Sequence, residues 1–126
     1  MKNFASKFVL ALAVLVSITM SASAQTTVYG FKILIFPGET FTQTLGINNT
    51  GVIAGYHGAT VNKGFTLVLP NHYTNQNFPG SAQTQVIGID AMSDTVGFYI
   101  DAGGTTHGFL NNHGTFSTVD FPKNNL

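Results

Sequence analysis

The sequence predicts an all-β protein, and three observations carry that prediction. β-Branched and aromatic residues come in short runs separated by Gly, Asn and Asp, no stretch after the N-terminal leader has helical periodicity, and the chain repeats itself. The segment TQTLGINNTGVIAGY, Thr42 to Tyr56, returns as TQVIGIDAMSDTVGF, Thr84 to Phe98. A shift of 42 residues aligns Phe36-Pro37-Gly38 with Phe78-Pro79-Gly80, Gly46 with Gly88 and Gly55 with Gly97. The offset grows to 44 at Gly64-Phe65 and Gly108-Phe109, then settles at 43 where Phe78-Pro79 meets Phe121-Pro122. A period near this length is one supersecondary unit that cannot bury its apolar face alone, and four-stranded propeller blades have such a period.

The elements follow in order. Residues 1–24 read as a secretory signal peptide: Lys2 and Lys7, an apolar run from Phe8 to Val16, and an Ala-Ser-Ala ending at Ala24. The run is interrupted by Ser17 and Thr19 and is shorter than the roughly 20 residues needed to cross a bilayer. The expectation is a secreted or periplasmic product with no membrane insertion after cleavage. Residues 25–126 then form one β-repeat domain, with repeats spanning about 36–77 and 78–120. The first repeat is expected to hold strands near Thr42–Asn48, Val52–His57, Lys63–Leu69 and His72–Phe78. The second is expected to hold strands near Thr84–Asp90, Asp94–Ile100, Thr106–Asn112 and Thr115–Phe121. Asn48-Asn49-Thr50-Gly51 suits a hairpin turn because Asn and Gly accept positive φ. Its counterpart Asp90-Ala91-Met92-Ser93 lacks the glycine and should turn less well.

Ahead of the first repeat, the segment from Val28 to Gly38 copies the second half of a unit, with Gly30-Phe31 standing where Gly64-Phe65 and Gly108-Phe109 stand. The predicted architecture is therefore two and a half four-stranded antiparallel repeats, propeller-blade-like, with a small β-sandwich as the alternative. Such a stack leaves sheet edges and faces uncovered, so homo-oligomerisation is expected.

The run Gly46-Ile47-Asn48-Asn49-x-Gly51-Val52-Ile53-x-Gly55-Tyr56, followed by Lys63-Gly64-Phe65, with the later Thr106-His107-Gly108-Phe109-Leu110 and Thr118-Val119-Asp120-Phe121-Pro122, resembles the bacterial extracellular repeats called the HAF family. The resemblance spans nearly all of the chain after the leader. It implies secretion and a propeller-like β architecture, and it brings no general activity with it. The chain departs from the pattern by having His-Gly-Phe, Lys-Gly-Phe and Tyr-Gly-Phe in place of His-Ala-Phe, and far fewer repeats.

Charge and composition narrow the function classes. After the leader, three lysines stand against one Glu and four Asp, three minus five giving a net −2, and there is no arginine. Neutralising a phosphate backbone takes a clustered basic face, so nucleic acid is not an expected partner. Without cysteine, neither disulfides nor thiolate metal ligands are available. His57, His72, His107 and His113 lack ligand spacing and read as surface or turn histidines. Asp90, Asp94 and Asp101 read as turn formers rather than as a calcium loop. The sequence has neither a Gly-x-Ser-x-Gly elbow nor an evident carboxylate pair for glycoside hydrolysis, so no enzyme, cofactor or metal is expected.

Aromatic residues give the better lead. Phe65, Phe78, Phe98, Phe109 and Phe121 are expected in the core. Tyr56 and Phe98 are equivalent, as are His57 and Tyr99, and Tyr73 and Phe116. Of Tyr56 and His57, neighbours on one strand, one must face in and the other out. Aromatic faces beside Asn, Asp and Thr suit a neutral sugar, which makes Tyr56, His57, Tyr99 and Asp101 the candidate ligand-binding residues. The expected function is a noncatalytic module for extracellular binding or adhesion, with a neutral glycan as candidate ligand. The alternative is a structural repeat unit with no small-molecule ligand.

Overall fold

The computed structural model describes residues 26–122, so the expected signal peptide lies outside the described residues. Two compact units are distinguished, Met1–Lys32 and Ile33–Leu126. Of the first, residues 26–32 are described; they hold no strand, and Phe31 is fully exposed. Among the described residues no helix is long and apolar enough to cross a membrane.

The second unit is all-β. Its strands are β1 (Thr42–Ile47), β2 (Ile53–His57), β3 (Lys63–Val68), β4 (His72–Asn75), β5 (Gln83–Ile89), β6 (Thr95–Ile100), β7 (Thr106–Asn112) and β8 (Thr115–Thr118). They form two four-stranded antiparallel meanders, β1-β2-β3-β4 and β5-β6-β7-β8. Each expected strand is present, and β4 and β8 end earlier than their apolar patterns suggested. The two sheets pack through β5 against β1, β2 and β3. Among the described residues they do not close into a ring.

The half repeat is not realised as strands. Residues 26–41 contain none, because a lone two-stranded hairpin is marginal in water. Its last apolar residues nevertheless keep their repeat positions. Phe36 stacks on His57 with ring centroids 3.6 Å apart and planes 8° apart, as Phe78 stacks on Tyr99 at 3.7 Å and 4°. Each Phe main-chain N–H donates to a threonine hydroxyl six residues on: Phe36 to Thr42 Oγ1 at 2.8 Å and Phe78 to Thr84 Oγ1 at 3.0 Å. The repeated Phe-Pro-Gly and Thr-Gln are thus two halves of one clasp that seats a ring on the second strand of the sheet that follows.

The repeated glycines have a geometric cause. The register slips between Thr44 and Gly46 and again between Val86 and Gly88, leaving Leu45 and Ile87 as bulged residues. Opposite each bulge the backbones close up, so that a Cβ built on Gly55 would fall on the Gln43 carbonyl oxygen and one on Gly97 on the Gln85 carbonyl oxygen. Only glycine fits.

The turn without glycine keeps the same bonding as its counterpart. Asn48 Oδ1 accepts from Thr50 N and Val52 N, and Asp90 Oδ1 accepts from Met92 N and Asp94 N. Where Gly51 has φ 83°, Ser93 takes φ 70°. A left-handed non-glycine residue costs about 1–2 kcal/mol, so the expected weakness lies in Ser93 and not in lost hydrogen bonds.

The core has two parts. Ile53, Phe65 and Leu67 form one cluster, covered by Leu34, Phe36 and Tyr73. Ala54, Val86, Tyr99 and Phe109 form the other, with Phe78, Ile89 and Phe116 packed on it. Phe121, expected in the core, is instead 84% exposed, and among the described residues no ring stacks on it.

Candidate functional site

The four candidate residues do not converge. Tyr56 and His57 lie on β2 in the first sheet, while Tyr99 is the penultimate residue of β6 and Asp101 begins the β6–β7 turn in the second. The alternation expected of Tyr56 and His57 holds: His57 is buried and Tyr56 is half-buried beside Phe41. The Tyr56 hydroxyl donates to Gln43 Oε1. His57 differs from the surface reading because it replaces a core aromatic: its ring faces Phe36, and Nδ1–H donates to Glu39 Oε1 at 3.1 Å. Tyr99 is buried between Phe78 and His107, with its hydroxyl 2.9 Å from Thr118 Oγ1. Neither ring offers an open face to a sugar.

Asp101 is part of an arrangement that spacing alone did not reveal. His107 Nδ1 lies 2.6 Å from Asp120 Oδ2, and Nε2 lies 3.3 Å from Asp101 Oδ2. Both nitrogens can donate only in the imidazolium. The Asp120 hydrogen bond raises the His107 pKa above its ordinary value, and Asp101 adds to the effect against partial burial. Asp101 is held below the usual carboxylate range chiefly by the Thr105 N–H it accepts, with His107 contributing. Asp120 also accepts from Gly108 N, as Asn77 accepts from Gly64 N one repeat earlier. The clasp therefore ties the segment after β8 onto β7. Because the imidazole ring stands between the two carboxylates, the cluster is not arranged as a chelate. Among the described residues no group of three or more His, Asp or Glu could hold a metal ion.

The remaining carboxylates are also engaged. Asp90 caps its turn, Asp94 Oδ1 accepts from His113 N, and Glu39 accepts from His57. As turn formers, Asp90, Asp94 and Asp101 are as the sequence predicts, and His113 sits in the β7–β8 turn at φ 49°.

A cleft of about 480 Å³ lies where the first sheet's β2–β3 loop and the β4–β5 connection meet. Asn62, Lys63, Asn75, Asn77 and Gln83 line it beside Phe78. Asn62 hooks the second sheet by accepting from Gln85 Nε2 at 2.6 Å, while its main-chain carbonyl accepts from Thr84 N at 3.0 Å. Asn75 Oδ1 and Asn77 Oδ1 accept main-chain N–H groups, and Gln83 Oε1 accepts from Asn62 N. Among the described residues, the amide N–H groups of Asn75, Asn77 and Gln83 have no protein acceptor, so these donors are available to a ligand. Sequence reasoning missed this cleft because its residues come from two loops with no shared spacing; the Asn and Gln density of residues 71–85 was the one available signal.

The fold and cleft define a two-sheet β-repeat protein. No family model matches the chain, and neither curated proteins nor solved structures yield a similar one.

Proposed function

We propose that this chain is an exported, noncatalytic β-repeat module that binds a neutral glycan at the cell exterior through the amide-lined cleft. One observation carries the reading: three side-chain amides with uncommitted donors, and Lys63, surround a cleft of about 480 Å³ bordered by Phe78. Such a set matches the hydroxyl oxygens of a saccharide, and the flanking ring edge and proline supply apolar contact. The signal-like leader and the HAF-like repeats support export. The commitment of each described carboxylate to a turn, a histidine or a main-chain amide supports a noncatalytic role.

The test is titration calorimetry against a panel of neutral oligosaccharides, with Asn75→Ala and Gln83→Ala as variants. One lost hydrogen bond of about 1 kcal/mol weakens binding about fivefold in each. Absence of binding across the panel favours the structural alternative, a packing unit without a small-molecule ligand.

A further inference from the structure

We infer that the outer face of the second sheet, together with Val119 and Phe121, docks head-to-tail onto the first sheet of a second copy of this chain. The pattern for that contact is already present inside the chain, where the first sheet meets the second.

Within the chain, Gly46 leaves room for Ile89, since a Cβ there would come within 3.3 Å of Ile89 Cγ2. Gly64 leaves room for Val86, whose Cγ2 would lie 2.8 Å from an added Cβ. Ala54 is fully buried in the same contact. Beyond β4, Gln76 and Phe78 enter the second sheet's core, with Gln76 on Asn111 and Phe78 on Tyr99.

The glycine, Ala54, Gln76 and Phe78 positions have counterparts one repeat on, and those counterparts are half-buried or exposed. Gly88 and Val96 stand where Gly46 and Ala54 stand, and Leu110 where Thr66 stands. They line a groove of about 380 Å³, and Val96 is 47% exposed. With Val96 and Leu110, this face is more apolar than the Ala54 and Thr66 face that the chain does bury. Val119 takes the position of Gln76, and its N–H donates to Gly108 O at 2.9 Å as Gln76 N donates to Gly64 O at 2.9 Å. Phe121 takes the position of Phe36 and Phe78. Among the described residues no ring stacks on it.

The matching half lies open at the other end. Ile47, the counterpart of Ile89, is 67% exposed and lines a groove of about 330 Å³ with Thr44, Leu45, Gly46 and Ile53. In the docked pair Ile47 of the second copy meets Gly88, and Thr44 meets Gly108. The ring position over His57, filled in the single chain by Phe36, passes to Phe121 of the first copy. That step exchanges Leu34 and Phe36 for Val119 and Phe121, apolar for apolar, in the manner of a swapped segment. The polar contacts between the sheets are not all repeated: Asn48 Nδ2 donates to Asp90 O at 3.1 Å and Asn62 Oδ1 accepts from Gln85 Nε2 at 2.6 Å, whereas Asp90, a carboxylate, has no donor to offer and Thr106 stands at the position of Asn62.

The experiment is sedimentation of the purified protein over a concentration series, with Phe121→Ala, Val96→Asp and Val61→Ala. Val61 is an exposed loop residue outside the proposed contact and serves as control. The expected result is concentration-dependent self-association of the parent and of Val61→Ala, weakened at least tenfold by Phe121→Ala and by Val96→Asp. Melting curves confirm that the two variants remain folded, and Phe121 is exposed enough that its truncation leaves the single chain intact. A parent that stays monomeric to about 100 μM, or variants that associate like the parent, would overturn the inference. Both readouts are independent of any saccharide in the cleft.

Discussion

Gln76 and Asn111 are joined across the two sheets by a 2.6 Å hydrogen bond in which Asn111 Nδ2 donates to Gln76 Oε1. Thr95 Oγ1 donates to the same oxygen at 3.3 Å. One repeat earlier the equivalent positions are Leu34, Leu67 and Ile53, which pack as an apolar cluster. The two repeats have filled one geometric slot with opposite chemistry, and in each case all three members agree.

That agreement gives a sharp expectation. Asn111→Leu alone removes the shorter of the two bonds to Gln76 Oε1, leaves it the 3.3 Å bond from Thr95, and should cost about 1 kcal/mol, whereas replacing all three groups together removes donors and acceptor at once. The triple variant Gln76→Leu, Thr95→Ile, Asn111→Leu, which copies the first repeat, should melt at or above the parent. Asn111 Oδ1 is buried without a partner, which adds to the gain. A triple variant less stable than Asn111→Leu alone would refute the equivalence.

Glycine in the paired strands should be irreplaceable. Gly55→Val and Gly97→Val each drive a side chain into a partner-strand carbonyl, and each should lose on the order of 3 kcal/mol. Asn49→Ala, in an exposed turn, should change stability by less than about 0.5 kcal/mol. Urea denaturation of the three variants measures the difference, and a Gly97→Val chain as stable as Asn49→Ala would contradict the close approach.

The His107 clasp makes stability depend on pH in a defined direction. Its folded pKa is raised, so the contribution is fully present below the ordinary imidazole value of about 6.5 and is lost as pH rises through the folded value. The depressed Asp101 acts at the other end: its contribution is held at neutral pH and lost on acidification through its lowered pKa. Melting temperature should therefore fall between pH 6 and pH 9 in the parent and fall less in His107→Gln. Equal slopes in the two proteins would show that the clasp carries no net charge coupling.

Tyr99 should behave as a core residue. Tyr99→Phe keeps the stack on Phe78 and loses only the hydroxyl contact with Thr118, at about 1 kcal/mol. Tyr99→Ala should lose about 3–5 kcal/mol. Tyr56→Ala, on the half-buried side of β2, should lose much less. Thermal melts order the three, and a mild Tyr99→Ala would restore that ring as a binding surface.

The sequence by itself determined the strands, the repeat and the turn chemistry. These depend on neighbours: side-chain alternation, Asn and Asp bonding to amides two and four residues on, and a glycine wherever two adjacent strands leave no room for a Cβ. It also marked Phe65 and Phe109 as core, while Phe98, marked in the same way, is half-buried and outside both core clusters. Only the tertiary structure decided which aromatic rings face solvent. His57 and Tyr99 are buried because Phe36 and Phe78, each some 21 residues earlier, fold back onto them. Phe121 carries the same residue in the same local sequence and stays exposed, because among the described residues no third sheet packs against it. The His107 clasp and the amide cleft were likewise hidden: the clasp joins residues on either side of β7 once the second sheet forms, and the cleft exists only where the two sheets meet. Local pattern specifies the unit, while the fate of a surface residue is set by what packs against it.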